Sequence, residues 1–363
     1  MTDAIGHYRA LHQIPELSGK EYKTAEYIEN ALREMGYAPA RVGVTGVTAQ
    51  LVSGNNLPWV ILRADMDALA VGEETGSEFA SEHPGCMHAC GHDTHCAMLL
   101  GAAEVLRDKV LPRNILFLFQ PAEENTFGAL EMIAAGAMPE NLAASFGFHV
   151  WPGVPCGIPV TRIGALMAAS DVFEVHISGR SAHCAQRSKG NDALLTAVDI
   201  VSAFEKIEAR AEDKDSLLFC GSIHSGTTHN IVPGTAMIRG TIRTYSPADR
   251  KTIKSALTRT VAEAAAAHGT NAEFIWESEC PAVMNDAALV EELRSVLPEL
   301  AEAQPTLAGE DFARYQELAP GVLVWLGIGD TPPLHNSRFF VPEELLEKGV
   351  EMWQRIAAHE WKK

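Results

Sequence analysis

The chain is short of positive charge. Of its 363 residues, 29 are Lys or Arg and 47 are Asp or Glu, which gives a formal net charge of −18 at pH 7. Because binding to nucleic acid or to an anionic membrane surface requires clustered Lys and Arg, the chain is a poor candidate for either partner. The charge does not exclude a small anionic substrate, since a few local Arg and N–H groups can hold one.

The sequence also lacks a long apolar run, a secretion leader and an even set of cysteines. No stretch approaches the length of a membrane-spanning helix, and the first residues contain no basic segment followed by an apolar core. We therefore expect neither a membrane partner nor a signal peptide. The seven cysteines are an odd number, which fits a reducing compartment better than a disulfide framework. Together these absences predict a cytoplasmic protein.

The first part of the chain alternates helical segments with continuous apolar segments. At 363 residues the chain is long enough for two domains, and its 47% hydrophobic content is enough for buried cores. Continuous apolar strands separated by helices are typical of a mostly parallel sheet covered on both faces. The predicted helices are 3–12, 20–35, 95–106 and 130–135, and the predicted strands are 60–64, 115–119 and 145–150.

The middle of the chain has the order β-α-β-β-α-β, which predicts a ferredoxin-like unit inserted into the first domain. Its predicted strands are 171–177, 217–224, 235–244 and 272–276, and its predicted helices are 192–210 and 247–268. The α/β pattern then resumes with helices 286–297, 310–317 and 343–358 and a strand at 322–326. We therefore predict an α/β catalytic domain of residues 1–168 and 279–363 and an inserted α+β domain of residues 169–278.

Polar side chains follow the predicted strands of the first domain. In an open parallel sheet, ligands bind at the carboxyl ends of the strands, so these side chains are expected to converge on one crevice. Cys90 and His92 come just before the helix at 95–106 and join them in this prediction. The residues that follow the strands are Asp65, Asp67, Glu123, Glu124, His149 and, after a longer loop, His335.

Imidazole, carboxylate and thiolate groups are the protein ligands of zinc and related divalent ions. Cys90 and His92 are two positions apart, so a turn can aim both at one centre. Glu123 and Glu124 are adjacent, so in extended chain one can bind a metal while the other faces a substrate. This division suits metal-assisted hydrolysis, in which the metal lowers the pKa of a water molecule to about 7 and a carboxylate takes its proton.

Each of these residues also has a simpler interpretation. A histidine in an apolar region is often a hydrogen-bonded core residue, and Cys90 is consistent with a small buried hydrophobic side chain. The Glu123-Glu124 pair also fits a solvated helix start, and Asp65 and Asp67 also fit a turn. Their joint position at strand ends favours the metal site.

Four segments carry a resemblance to a known family: residues 62–69 (LRADMDAL), 87–95 (MHACGHDTH), 119–124 (FQPAEE) and 334–336 (LHN). They resemble the amidohydrolase branch of the M20 metallopeptidases, which includes hippurate hydrolases, auxin-conjugate hydrolases, N-acetyldiaminopimelate deacetylases and aminoacylase-like enzymes. The resemblance spans nearly the whole chain.

The resemblance implies a site for two divalent metal ions, with manganese or zinc expected and cobalt or nickel as further candidates. Its implied ligands are Cys90, His92, Glu124, His149 and His335. Glu123 is implied as the general acid and base. Asp67 matches an acid that orients a ligand histidine.

The family also has a ferredoxin-like lid domain that usually mediates dimerisation, so the resemblance implies a homodimer formed through residues 169–278. His183 matches the family's histidine near the substrate carbonyl, which stabilises the developing oxyanion and can reach the neighbouring subunit's site. Asn230 and Arg243 match lid positions that hold the substrate. The simpler interpretations are an exposed turn histidine for His183 and a surface salt bridge for Arg243.

The sequence departs from the family's pattern in loops that line the substrate pocket. Residues 125–128 are NTFG where a Gly-rich run is common, and residues 184–187 are CAQR where Gly-Ala-x-Pro-His is common. Ala70 and Ser337 stand where prolines are common. None of these changes removes an implied ligand. Asp311, in a segment that also fits the family, is interpreted as a helix start rather than a ligand.

Together these observations predict hydrolysis of the amide bond of a small N-acylated amino acid, by water that the metal activates and Glu123 deprotonates. Three alternatives stay open: a dipeptidase or carboxypeptidase of the same family, an amidase with Cys90 as nucleophile and His92 as base, and a non-catalytic binding protein. The cysteine mechanism would leave Glu123, Glu124 and His335 without a function, and a binding protein needs no base.

Overall fold

The computed structural model describes residues 2–208 and 216–362. Within them the helices are α1 Ala4–Gln13, α2 Tyr22–Glu34, α3 His92–Leu106, α4 Gly128–Ala134, α5 Ala193–Glu208, α6 Pro247–His268, α7 Ala287–Val296, α8 Ala313–Gln316 and α9 Glu344–Ala358, with a 3-10 helix at Cys184–Lys189. The last two residues of the helix predicted at 192–210 lie outside the described residues. None of these helices combines the length and hydropathy required of a membrane span.

The strands of the described residues alternate with these helices along the chain. They are β1 Ala40–Val42, β2 Gly46–Leu51, β3 Trp59–Asp65, β4 Asn114–Gln120, β5 Leu142–Trp151, β6 Pro159–Thr161, β7 Gly164–Met167, β8 Ala169–Ser178, β9 Ala182–His183, β10 Leu217–Ser225, β11 Ile231–Val232, β12 Thr235–Thr244, β13 Asn271–Cys280, β14 Val283–Asn285, β15 Ala301–Glu302 and β16 Gly321–Gly327.

The chain divides into two compact units. The first is Met1–Leu166, Val283–Gln304 and Asp311–Lys363, and the second is Met167–Ala282 and Pro305–Glu310. The second unit contains the whole predicted insertion of 169–278, and it also takes up residues 305–310, which the sequence pattern had grouped with the first domain. Residues 305–310 are held in the second unit because the Ala168 amide donates to the carbonyls of Thr306 and Ala308. Such a long-range contact leaves no local sequence signal.

An eight-stranded sheet forms the centre of the first unit, in the order β1-β2-β4-β3-β5-β16-β6-β15. The four central strands, β4, β3, β5 and β16, are mutually parallel, whereas β1, β2 and β6 join by antiparallel pairing. Every residue of β4 and β16 is buried, as expected for strands covered on both faces. The predicted α/β class with a mostly parallel sheet is confirmed.

The central strands position the polar residues at one edge of this sheet. Because β3, β4, β5 and β16 are parallel, their carboxyl ends meet on the same side, and the polar segments that follow them start there. Helix α3 also begins at this edge, and it starts at His92 rather than at the predicted residue 95. Gly91 caps this helix with φ +85°, and a Cβ at that position would lie 2.5 Å from Val150 Cγ2. Only glycine fits there.

The second unit contains a four-stranded antiparallel sheet in the order β10-β12-β8-β13. With α5 after β8 and α6 after β12, this is the predicted ferredoxin-like arrangement. Its core has aliphatic and aromatic side chains from both helices and the sheet, among them Phe173, Ile200, Phe204, Ile238 and Leu257.

Helix α6 has the bounds that its capping residues predict. Ser246 Oγ accepts the Asp249 amide at 3.2 Å, Pro247 opens the first turn, and Gly269 ends the helix with φ +64°. These local signals explain why the sequence alone located both ends.

We expect Ser246→Ala to lower the free energy of unfolding by about 1 kcal/mol, because the Asp249 amide loses its acceptor. Ser255→Ala is the matched control, since Ser255 is exposed on the same helix and its hydroxyl donates to the Lys251 carbonyl within the helix. Denaturant unfolding followed by circular dichroism measures both. Equal stability of the two variants would contradict the capping role.

Candidate metal centre

The structure brings the five predicted ligands and Glu123 together in the first unit. Their ligand atoms form three overlapping groups in which all atoms lie within 4.8 Å of one another. The groups are Cys90 with His92 and His149, Cys90 with Glu124 and His335, and His92 with Glu123 and Glu124. Cys90 and His92 each belong to two of these groups, so the three groups form one continuous cluster.

Asp67 fixes the relative positions of several of these residues. Its Oδ1 lies 3.2 Å from His92 Nδ1 and accepts the Glu123 amide at 3.1 Å. Its Oδ2 accepts the Glu124 amide at 3.1 Å and the Ser18 hydroxyl at 2.6 Å. His92 therefore donates from Nδ1 and presents Nε2 to the cluster.

His149 is oriented by the backbone of its own strand. Its Nδ1 donates to the Val150 carbonyl at 2.7 Å, so Nε2 carries the lone pair. That Nε2 lies 3.4 Å from Cys90 Sγ. A neutral imidazole nitrogen and a sulfur atom at this separation suit a shared soft cation.

The backbone around the glutamates and His335 is in an uncommon conformation. Ala122, Thr126 and His335 all have positive φ, at 52°, 61° and 66°. Non-glycine residues seldom adopt this region, and they cluster at functional sites when they do. Glu21, fully buried, supports the turn by accepting the Ala122 amide at 2.9 Å, and Thr45 donates to the same carboxylate.

The electrostatics favour a positive charge at the centre of the cluster. Burial and the carboxylates of Glu124 and Glu123 raise the pKa of the Cys90 thiol well above its ordinary value. Burial alone would lower the pKa of His92, but the carboxylates of Asp65, Asp67 and Glu124 raise it to about 10. The nearby Glu124 carboxylate raises the pKa of His335. A cation at the centre of these carboxylates would balance their negative charge, so the protons on Cys90, His92 and His335 would no longer be required for that balance.

The donor set fits divalent metal ions. The buried His92 Nε2 and Glu124 Oε1 have no hydrogen-bond partner within the described residues, although His335 Nε2 lies 3.3 Å from that oxygen. Leaving a buried donor or acceptor unsatisfied costs about 1–3 kcal/mol, so atoms of this kind call for a ligand. The mixture of imidazole, carboxylate and thiol matches the preferences of zinc and its neighbours.

The second unit carries the other predicted site residues. His183 is exposed and accepts the Ala185 amide on Nδ1 at 3.2 Å, so in the neutral form its proton is on Nε2. Asn230 lies beside it, because β9 pairs with β11 and the Cys184 amide donates to the Asn230 carbonyl. Arg243 is half-buried, and its guanidinium donates to the Thr241 hydroxyl and the Ile242 carbonyl.

A buried polar network that the sequence patterns do not predict lies behind the candidate ligands. The fully buried Arg63 donates to Asp65 at 2.5 Å, to Gln120 at 3.0 Å and to Asp311 at 3.1 Å. Asp311 also accepts the Ala129 amide at 2.9 Å, so it caps α4. The helix predicted at 310–317 spans only Ala313–Gln316 in the structure, and it begins without a side-chain cap. The sequence signal for this network is Arg63 itself, a charged residue within an otherwise apolar predicted strand.

Comparison with known proteins adds to this geometry. A family model described as peptidase family M20/M25/M40 matches residues 61–359. The N-acetyl-L-cysteine deacetylase of Bacillus subtilis (strain 168) is 36% identical over 353 residues, which cover 95% of this chain and 85% of that protein. The N-acetyldiaminopimelate deacetylase of Streptococcus suis (strain 05ZYH33) is 37% identical over 366 residues, 97% of each chain.

A solved structure agrees with these relatives. The Bacillus subtilis YXEP protein, a dinuclear metal binding peptidase from the M20 family, has a TM-score of 0.86 to this chain at 32% sequence identity. The match covers 98% of this chain and 96% of that one.

We expect Gly128→Ala to disrupt the turn that holds the two glutamates, because a Cβ at Gly128 would lie 1.6 Å from the Pro121 carbonyl oxygen. Overpacking of this kind typically costs about 1–3 kcal/mol. Gly72→Ala is the control, since its Cβ would meet nothing within 4 Å. Unfolding free energies and metal content measure the effect, and wild-type values for Gly128→Ala would refute it.

Proposed function

Because the chain belongs to peptidase family M20/M25/M40, as its motifs predicted, we propose that it is a metal-dependent amidohydrolase that releases the free amino acid from a small N-acylated amino acid. The observation that carries the proposal is the convergence of five metal-ligand side chains with one further buried carboxylate, that of Glu123. The two deacetylases at 36% and 37% identity support the class of substrate.

In this proposal the two ligand groups that share Cys90 each hold one divalent ion, with His92 and His149 in one group and Glu124 and His335 in the other. Manganese or zinc is proposed, and cobalt or nickel would fit the same donors. When bound, such ions lower the pKa of a water molecule to about 7 and polarise a carbonyl group. The dinuclear peptidase of similar fold supports the number of ions.

The protein's own groups then move the proton and hold the charge. Glu123 takes the proton from the attacking water and delivers it to the leaving amine, so the amide C–N bond breaks without a covalent enzyme intermediate. Asp67 keeps His92 and both glutamate amides in place. His183 donates from Nε2 to the developing oxyanion. Asn230 and Arg243 are proposed to hold the substrate.

The geometry argues against a cysteine nucleophile. Cys90 is buried, and the surrounding carboxylates raise the pKa of its thiol, so in the absence of a cation it is a poor nucleophile. The neighbouring imidazole of His149 is also neutral, because burial lowers its pKa well below its ordinary value. The thiol is therefore better suited to binding a metal than to attacking a carbonyl.

We expect Glu123→Gln to lower kcat by about 10²–10⁴-fold, because the base is lost while the ligands remain. Metal content, measured by inductively coupled plasma mass spectrometry, should stay at the wild-type level. Glu82→Gln, an exposed surface change, is the control and should leave both values unchanged. Near-normal turnover of Glu123→Gln would mean that the base is another residue.

We expect Cys90→Ala to give the opposite pattern, with loss of bound metal, because the side chain shared by both ligand groups is gone. The measurement is metal stoichiometry after dialysis against a weak chelator. Unchanged stoichiometry would remove Cys90 from the ligand set.

The substrate class is tested with chelator-treated enzyme, with and without added Mn²⁺ or Zn²⁺. The panel contains N-acetyl, N-benzoyl and indoleacetyl amino acids, including N-acetylcysteine and N-acetyldiaminopimelate, together with dipeptides. We expect metal-restored amine release from one acyl class. Faster release from dipeptides would favour the peptidase alternative, and silence with metal bound would favour a binding protein.

We also propose that the chain forms a homodimer through its second unit. Strand β10 is at the edge of the described sheet and exposes Phe219 and Ile223, which are 56% and 43% accessible. The register shift between Cys220 and Ser222 puts these two side chains on opposite faces of the strand, so each face of this edge carries an exposed apolar side chain. We expect the double change of Phe219 and Ile223 to Asp to give monomers in sedimentation velocity. Val110→Asp, at a position that is 90% exposed in the first unit, is the control. A wild-type monomer would refute the proposal.

A further inference from the structure

His95 lies close to the candidate ligands but has no lone pair left for a metal. Its ligand atom is within 4.8 Å of those of Asp65 and His92, which makes it a geometric candidate. However, its Nδ1 lies 2.5 Å from Asp65 Oδ1, so this nitrogen donates its proton. Its Nε2 accepts the Val150 amide at 2.9 Å. Both ring nitrogens of this buried side chain are therefore used.

The Val150 amide needs this acceptor because of where β5 lies in the sheet. The β3–β5 ladder ends at Arg63 and Gly147, and β5 continues to Trp151. Beyond the ladder, His95 accepts the amide in place of a strand. The carbonyl of the same residue, Val150, accepts the Nδ1 proton of His149. The two polar backbone groups of Val150 thus connect His95 with a proposed metal ligand.

Arg63, which donates to Asp65, determines which group donates and which accepts in each hydrogen bond from Asp65 through His95 and Val150 to His149. Arg63 can only donate, and it pairs with Asp65 at 2.5 Å. Asp65 therefore stays an acceptor and requires the His95 proton on Nδ1. That tautomer leaves Nε2 of His95 for Val150, and Val150 in turn leaves Nε2 of His149 facing Cys90 Sγ at 3.4 Å.

We propose that His95 is a positioning residue that sets the orientation and tautomer of His149 through Val150, and that His95 is not itself a metal ligand. The inference rests on the proposed function only for the statement that His149 binds the ion. The hydrogen-bond chain itself belongs to the metal-free protein. Partners that orient a ligand histidine typically contribute 10–100-fold to metal affinity.

Two isosteric variants separate the two bonds of His95. His95→Gln places an amide oxygen near the position of Nε2, so it keeps an acceptor for Val150. His95→Asn places an amide nitrogen near the position of Nδ1, so it keeps the donor to Asp65 and loses the acceptor. His7→Gln changes another buried histidine of the first unit, on α1, and serves as the control. Thermal unfolding of each metal-free variant verifies that it folds.

Zn²⁺ affinity, measured by competition with a chromophoric chelator, is the first readout. We expect His95→Asn to lose about 10–100-fold in affinity, and we expect His95→Gln and His7→Gln to stay close to the wild type. Equal affinity of His95→Asn and the wild type would overturn the proposal. Equal losses in His95→Asn and His95→Gln would also overturn it, because the Val150 acceptor would then not be the operative contact.

Histidine tautomers in ¹⁵N-histidine-labelled protein are the second readout, and they need no activity. In the metal-free wild type, His149 should carry its proton on Nδ1, and this preference should weaken in His95→Asn. On addition of Zn²⁺, the Nε2 shift of His149 should move while both ring nitrogens of His95 keep the shifts of nitrogens without metal. A metal-induced shift at a His95 nitrogen would make it a ligand and refute the inference. If the wild type binds no metal, the proposed function fails, and the metal-free tautomer comparison still decides this proposal.

Discussion

The carboxylate of Asp67 is the contact on which the arrangement of the candidate site depends. It joins four groups from three distant parts of the sequence: the hydroxyl of Ser18, the ring of His92 and the two adjacent amides of Glu123 and Glu124. Burial disfavours its charge, but the bonds from His92 and Ser18 hold the pKa of Asp67 below its ordinary value. A charged acceptor with four bonds fixes direction as well as distance. Glu123, the proposed base, and Glu124, the proposed ligand beside it, are therefore positioned through their own backbone amides.

The elements with strong local signals could be predicted from sequence alone. Strand Thr235–Thr244 and helix Pro247–His268 have the predicted bounds, and for the helix the signals were a proline in the first turn and a glycine just past the end. The short strands were not found, because β1, β6, β9 and β15 have only two or three residues each and owe their pairing to distant partners. Helix α8 is shorter than expected, and the carboxylate of Asp311 just before it bonds with Arg63 and Gln120 rather than capping the helix.

The candidate site shows the same division. The convergence of its candidate ligands could be anticipated because the carboxyl ends of parallel strands meet at one edge of the sheet, and because the residue types there are typical metal ligands. The residues that hold these candidate ligands in position could not be predicted from the sequence. Glu21 in a helix cap and Arg63 in a buried strand have ordinary sequence surroundings, and their roles arise only from contacts across the fold. The left-handed backbone at Ala122 and His335 likewise has no sequence signature, since neither is glycine.

The pairing between the first and last strands of the second unit's sheet bears on how this inserted segment can be exchanged. Its first strand and its last strand are neighbours, with Ser170 opposite Cys280 in an antiparallel ladder. Opposed residues in such a ladder have Cα atoms about 4.5–5.5 Å apart. The two ends of the inserted segment therefore lie close together. For the rest of the chain, the insertion is equivalent to a loop that is already closed. Exchange of the insertion for a shorter or longer one, in evolution or by design, would leave the strands on either side with the same gap to bridge.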